Sequence, residues 1–100
     1  MDILSLYYFS ELAKELHMTR TAQRLFISQQ TLSNHIKRME EELGIELFNR
    51  RPVLSLTLAG ELMLTFARST LDSYDRLHDA ITDIGAQRRG TLRFGGSAAR

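Results

Sequence analysis

Gln29, Gln30, Thr31, Ser33, Asn34, Lys37 and Arg38 fall within ten residues of one another. Glutamine and asparagine carry a donor and an acceptor on one planar amide, the pattern that matches an adenine edge. Serine and threonine hydroxyls donate or accept, and lysine and arginine reach a guanine edge or a phosphate oxygen. From Leu16 to Met39 the chain has no carboxylate, while Arg20, Arg24, Lys37, Arg38, His17 and His35 are all present. The acids resume at Glu40-Glu41-Glu42, and a second basic pair, Arg50-Arg51, follows after Glu46 alone. Summed over 100 residues, 13 Lys+Arg against 12 Asp+Glu leave a formal charge of +1, which by itself argues against a polyanionic partner. A polyanion responds to the local field, so a chain that is neutral overall can still carry one basic face. An ordinary solvated surface accounts for the charges taken alone.

Other chemistries find little support. With no Cys, disulfide frameworks, thiolate zinc sites and thiol catalysis are excluded. His17, His35 and His78 are far apart in sequence with no acid or second histidine at ligand spacing, so no metal site is expected. Ser5, Ser10, Ser28 and Ser33 lack a His-Asp pattern, and no glycine-rich loop is present to cradle phosphate. Glu40, Glu41 and Glu42 point around a helix, where solvation or pairing with Lys37 and Arg38 is the simplest reading. Neither an enzyme nor a cofactor is expected. The apolar runs are too short to cross a bilayer, and Met1-Asp2-Ile3 lacks the basic segment of a signal peptide. A cytoplasmic protein with no membrane partner is therefore expected.

These side chains need elements to hold them. Ile3, Leu6, Phe9, Ala13 and Leu16 recur on one helical face behind Asp2, a suitable N-cap. Thr19 is positioned to cap a short second helix with Ala22, Leu25 and Phe26 facing inward, ending near Ile27. Ser28 then caps a third helix over 29–43, with Leu32, Ile36, Met39 and Leu43 on its stripe and Gly44 in the place of a left-handed C-cap. From Ile45 the period changes to two. Ile45 and Leu47, then Leu54 and Leu56, flank Asn49-Arg50-Arg51-Pro52, the pattern of a two-stranded hairpin with its arginines near the tip. Thr57 caps a fourth helix that runs to about Gly85 or Arg89.

That last helix is longer than the body it packs on. Met63, Phe66, Leu77, Ala80 and Ile84 make one apolar series, and Leu64, Ala67, Leu71, Tyr74 and Ile81 make an adjoining one. Two stripes call for two surfaces, most simply the chain's own core and the same helix of a second copy. Met63, Phe66, Leu71, Tyr74, Leu77, Ile81 and Ile84 are the expected dimerisation residues. Residues 89–100 break the helical pattern and read as a tail with one short strand.

A short helix, a tight turn and a well-capped helix, with small Ala22 at the crossing, follow the logic of a helix-turn-helix. A step of 100° per residue places Gln30, Asn34 and Lys37 opposite the buried stripe of the third helix, flanked by Gln29, Ser33 and Arg38. The hairpin beside it then serves as a wing carrying Arg50 and Arg51. The expectation is a mainly α, winged helix-turn-helix in residues 1–57, with three helices plus a two-stranded wing, followed by a long linker or dimerisation helix in 58–88. Gln29, Gln30, Ser33, Asn34 and Lys37 would read bases, and Thr31, Arg38, Arg50 and Arg51 would hold the backbone of double-stranded DNA. A competing expectation is a winged-helix protein-interaction module that uses helix 58–88 for its partner.

The chain resembles the amino-terminal part of a LysR-type transcriptional regulator. The resemblance runs through Ile3, Leu6, Tyr8-Phe9, Ala13, Thr19-Arg20, Ala22, Leu25, Ser28-Gln29, Leu32-Ser33, Ile36, Glu40-Glu41-Glu42-Leu43-Gly44, Leu47-Phe48, Arg50, Leu56-Thr57 and Ala59-Gly60. It implies a homodimer, able to form tetramers in a longer parent protein, and a ligand-sensing domain of which Gly90 to Gly96 resembles only the first strand. The site for a small-molecule effector would then lie outside this chain. A dimer of recognition helices, entering successive major grooves, implies an operator that is an imperfect inverted repeat. Gln30 stands where the family usually has Pro, Asn34 where Arg is common, His17-Met18 where Ser-Phe is usual, and Thr21 where a second Ala is usual. The wing is about one residue shorter and less basic, so the operator is expected to differ from those of other members.

Overall fold

The computed structural model of the chain describes residues 1–88, in the order α1 (Ile3–Glu15), α2 (Met18–Arg24), α3 (Gln29–Leu43), β1 (Phe48–Asn49), β2 (Ser55–Leu56) and α4 (Leu58–Arg88). The strand expected near Leu92 lies outside the described residues. The expected mainly helical, winged architecture is present.

Local capping chemistry starts and stops the helices. The Asp2 carboxylate accepts from the Ser5 amide at 2.9 Å, and the Ser28 hydroxyl accepts from the Thr31 amide at 3.0 Å. Gly44 takes the left-handed conformation at φ 71° and closes α3 with its amide on the Glu40 carbonyl. The second helix starts earlier than its sequence predicts. Its cap is His17, whose Nδ1 accepts from the Arg20 amide at 3.1 Å while its carbonyl takes the Thr21 hydroxyl at 2.7 Å. Thr19 sits inside the first turn instead.

The first stripe also shifts. Leu12 is fully buried beside Leu6, Phe9 and Ala13, whereas Leu16 leaves the apolar face because it is itself the left-handed C-cap, at φ 54°. Leu32, Ile36 and Met39 of α3 are buried as expected, and Leu43 is exposed because the helix outruns the core it covers. Phe26 departs furthest from the inward position expected for it. It stands in the left-handed region at φ 59° and is 95% exposed. The turn is closed around it by the Ile27 amide on the Ala22 carbonyl at 3.0 Å.

The ribbon is shorter than the period-two pattern, pairing only Phe48 with Leu56 and Asn49 with Ser55, antiparallel. Ile45 is exposed and outside the strand. Leu47 precedes the strand because its backbone is already committed: its amide goes to the Glu40 carboxylate and its carbonyl takes the Thr57 amide. Phe48 is fully buried against Phe9, with ring centroids 5.3 Å apart, which fastens the wing to α1.

The Thr57 hydroxyl accepts from the Gly60 amide at 3.0 Å and starts α4. Its 31 residues extend to about 46 Å. Ala67 is fully buried, and Met63, Leu64 and Leu71 pack against the core of their own chain. Two of the residues expected in a dimer seam, Met63 and Leu71, therefore belong to the inner face. The reason is that α4 lies along α1 for its first half, and both series feed that contact in turn. Phe66, Tyr74, Leu77, Ile81 and Ile84 remain exposed, with Leu62.

Candidate nucleic-acid interface

The buried row Leu32, Ile36 and Met39 fixes which face of α3 turns outward. Gln29, Gln30, Thr31, Asn34, Lys37 and Arg38 are exposed and Ser33 is half-buried. Gln30 and Asn34 form a pair one turn apart, the Gln30 amide donating to Asn34 Oδ1 at 3.2 Å. This contact leaves Asn34 Nδ2 and Gln30 Oε1 without a partner among the described residues, a donor and an acceptor on adjacent turns. The Thr19 hydroxyl donates to Gln29 Oε1 at 3.0 Å and ties the start of α2 to the start of α3. Thr31 is drawn into the cap, accepting from the Ser28 hydroxyl at 2.8 Å.

The electrostatics follow from the same placement. The amino terminus of α3 presents open amides and partial positive charge beside these groups. Lys37, Arg38 and Arg51 have no hydrogen-bond or ion-pair partner among the described residues. Arg20 and Arg24 of α2 are directed the other way, onto Glu15 and Glu11 of α1. Burial raises the Glu11 carboxyl, and its hydrogen bonds to Arg24 and Lys14 overcome that and hold it below the ordinary range.

His35 is an internal contact rather than an outward one. Its Nδ1 lies 2.9 Å from the Ser5 hydroxyl, and its ring packs edge-on against Tyr8 with centroids 4.9 Å apart. Both contacts lock α3 onto α1.

Arg50 and Arg51 differ in a way that sequence does not reveal. Arg51 is exposed at the wing turn, but Arg50 folds back on α3 and forks onto the Glu40 carboxylate through Nη1 and Nη2, each at 3.1 Å. Glu40 thus opposes one arginine of the pair and leaves the other without a partner among the described residues. The acids after Met39 also do not pair with Lys37 or Arg38. Glu42 takes the amino-terminal ammonium at 2.8 Å, and Glu40 holds the start of the wing. Sequence reading missed Glu40 because its partners lie seven to ten residues away, beyond any helical or strand period. Among the described residues no group of three His, Asp or Glu side chains is placed to hold a metal ion.

Residues 3–61 match the family described as bacterial regulatory helix-turn-helix protein, lysR family. The HTH-type transcriptional regulator IlvY of Escherichia coli strain K12 is 40% identical over 95 residues, covering 94% of this chain and 32% of IlvY. The chain thus spans about a third of that relative's length. Among solved structures, the BenM DBD/catB site 1 DNA complex superposes with a TM-score of 0.84 at 30% identity, over 88% of this chain and 96% of that one. Full-length CbnR complexed with its target DNA superposes with a TM-score of 0.76 at 31% identity, over 82% of this chain and 29% of CbnR.

Proposed function

The chain belongs to the lysR family of bacterial regulatory helix-turn-helix proteins, and from that premise we propose that it binds double-stranded DNA sequence-specifically as a homodimeric transcriptional regulator. Residues 28–43 enter the major groove, where Gln29, Gln30, Ser33, Asn34 and Lys37 meet base edges. Thr31, Arg38, Arg50 and Arg51 engage the backbone. The observation that carries this reading is the outward face of α3, whose first turns present amides, a hydroxyl and two unpaired cations with no carboxylate among them. The acids follow only at its carboxyl-terminal end, where they leave the phosphates unopposed.

Residues 1–57 form the DNA-contacting unit in this proposal and residues 58–88 the linker. Two copies join along α4 through Phe66, Tyr74, Leu77, Ile81 and Ile84, with Met63 and Leu71 beneath them. An unpaired row of that size on a helix projecting past its own core supports a helix partner. The operator is then an imperfect inverted repeat with half-sites about one helical turn apart. No described helix is long and apolar enough to cross a membrane, and the proposed place of action is DNA in the bacterial cytoplasm.

Selection of bound duplexes from a random pool tests the reading directly and returns the operator. Affinity for the selected duplex should fall steeply with salt, and Lys37→Ala or Arg51→Ala should each lower the slope of log K against log salt by about 0.9. Enrichment of no duplex would favour a protein partner on α4 instead.

A further inference from the structure

Three consecutive acids end α3, and only Glu40 is built into the fold at its side chain and backbone together. Its side chain is 12% exposed. Oε2 accepts from the Leu47 amide at 2.8 Å, the Phe48 amide at 3.3 Å and Arg50 Nη1 at 3.1 Å, and Oε1 accepts from Arg50 Nη2 at 3.1 Å. Its carbonyl takes the amides of Gly44 at 2.8 Å and Ile45 at 3.2 Å. One residue of the recognition helix therefore bonds both the start of the connection to the wing, at Gly44 and Ile45, and its end, at Leu47, Phe48 and Arg50. A carboxylate so far removed from water is stable only because charged and amide donors replace its hydration.

Arg50 is held but not used up. Of its five N–H donors, two lie on Glu40 and one on the Phe48 carbonyl, at 3.0 Å from Nη1. The Nε hydrogen and the outer Nη2 hydrogen have no partner among the described residues. These two share one edge of the guanidinium plane, the edge that engages a phosphate through two parallel hydrogen bonds.

We propose that Glu40 is a positioning residue for DNA binding: it fixes the wing against α3 and orients Arg50 so that the open edge of its guanidinium meets a backbone phosphate. This rests on the DNA-binding reading above. The sign of one substitution separates it from a simpler view. An acid near DNA that only repels phosphates would, when neutralised, tighten binding. A positioning acid, when neutralised, weakens it.

The experiment measures affinity for a fluorescein-labelled duplex from the random-pool selection across a salt series, with the 100-residue chain. Glu40→Gln should weaken binding about tenfold and lower the salt slope by about 0.9, the share of one phosphate contact. Arg50→Gln should do the same, and the double variant should be no weaker than either single one. Unchanged or tighter binding by Glu40→Gln, with an unchanged slope, overturns the proposal. A purely structural role would lower the melting temperature but leave the slope of the folded protein intact. Should Glu40→Gln fail to fold, Arg50→Lys carries the test, since it keeps the charge and loses the fork; wild-type affinity in Arg50→Lys would overturn the orienting role. Lys37→Ala is the control that separates the two readings. If it flattens the slope while the Glu40 and Arg50 variants do not, only the positioning role falls. If the wild type shows no salt-dependent binding, the DNA reading falls and this one with it.

Discussion

Single residues in this chain carry unequal burdens, and Phe26 has the most unusual one. A bulky aromatic in the left-handed region costs roughly 1–2 kcal/mol relative to a residue at ease there, and Phe26 recovers nothing by burial at 95% exposure. Phe26→Asn is therefore expected to stabilise the protein by about 1 kcal/mol, raising the melting temperature by about 4–8 °C for a domain of this size. Scanning calorimetry checks it, and a fall in melting temperature would contradict the account of the turn. Glu11 makes a pH prediction. Its folded carboxyl is held below the ordinary range by Arg24 and Lys14, against the opposing effect of burial. In acid, then, the unfolded chain takes up this proton first. The contribution of Glu11 is complete above about pH 4.3, the ordinary glutamate value, and is lost as pH falls through the lower folded value. Denaturant titrations at several pH values should show Glu11→Gln destabilised near neutrality, with the gap to wild type closing in acid.

At the scale of elements, close approach decides how α4 docks. A Cβ added to Gly60 would lie 2.1 Å from the Leu47 carbonyl oxygen and 2.8 Å from a Leu56 methyl. Backbone oxygen cannot give way as a flexible side chain does, so Gly60→Ala should push α4 off the wing and cost about 3 kcal/mol. Urea unfolding would register this as a lower midpoint, and an unchanged midpoint would show that the joint yields freely. Much of this level was legible in sequence. The four helices, the caps at Asp2, Ser28 and Thr57 and the left-handed Gly44 follow from contacts three or four residues long. Strand β1 was displaced because the Leu47 amide prefers a carboxylate on another element. The start of α2 moved because histidine at position 17 supplies an acceptor nitrogen in the place usually taken by a short hydroxyl or carboxylate side chain.

For the whole molecule, the division of α4 between its two faces governs assembly. Leu71 packs on its own core and Ile81 is 58% exposed on a projecting helix. Ile81→Glu should dissociate the proposed dimer, seen as halved mass in light scattering, while leaving helicity by circular dichroism nearly unchanged. Leu71→Glu should instead lower stability, because the new charge must be buried or expelled from the core. If both variants behaved alike, the separation of inner and outer faces would be wrong. The near-zero net charge belongs to this scale too. In the proposed complex, long-range attraction between so nearly neutral a chain and DNA is weak, so the two linked half-sites and the groove contacts proposed for α3 would supply more of the affinity.

The sequence by itself determined the winged helix-turn-helix class, the outward residues of α3 and the capped start of α4, because periodicity and capping are interactions between near neighbours. Tertiary structure alone decided that Arg50 meets Glu40, that Phe26 is left outside, and that Met63 and Leu71 face inward. Each of these depends on how one element crosses another. A helical stripe records which residues share a face. What that face will meet is settled only when the helices pack, since burial and charge pairing act through space and the chain separates the partners by ten or more residues.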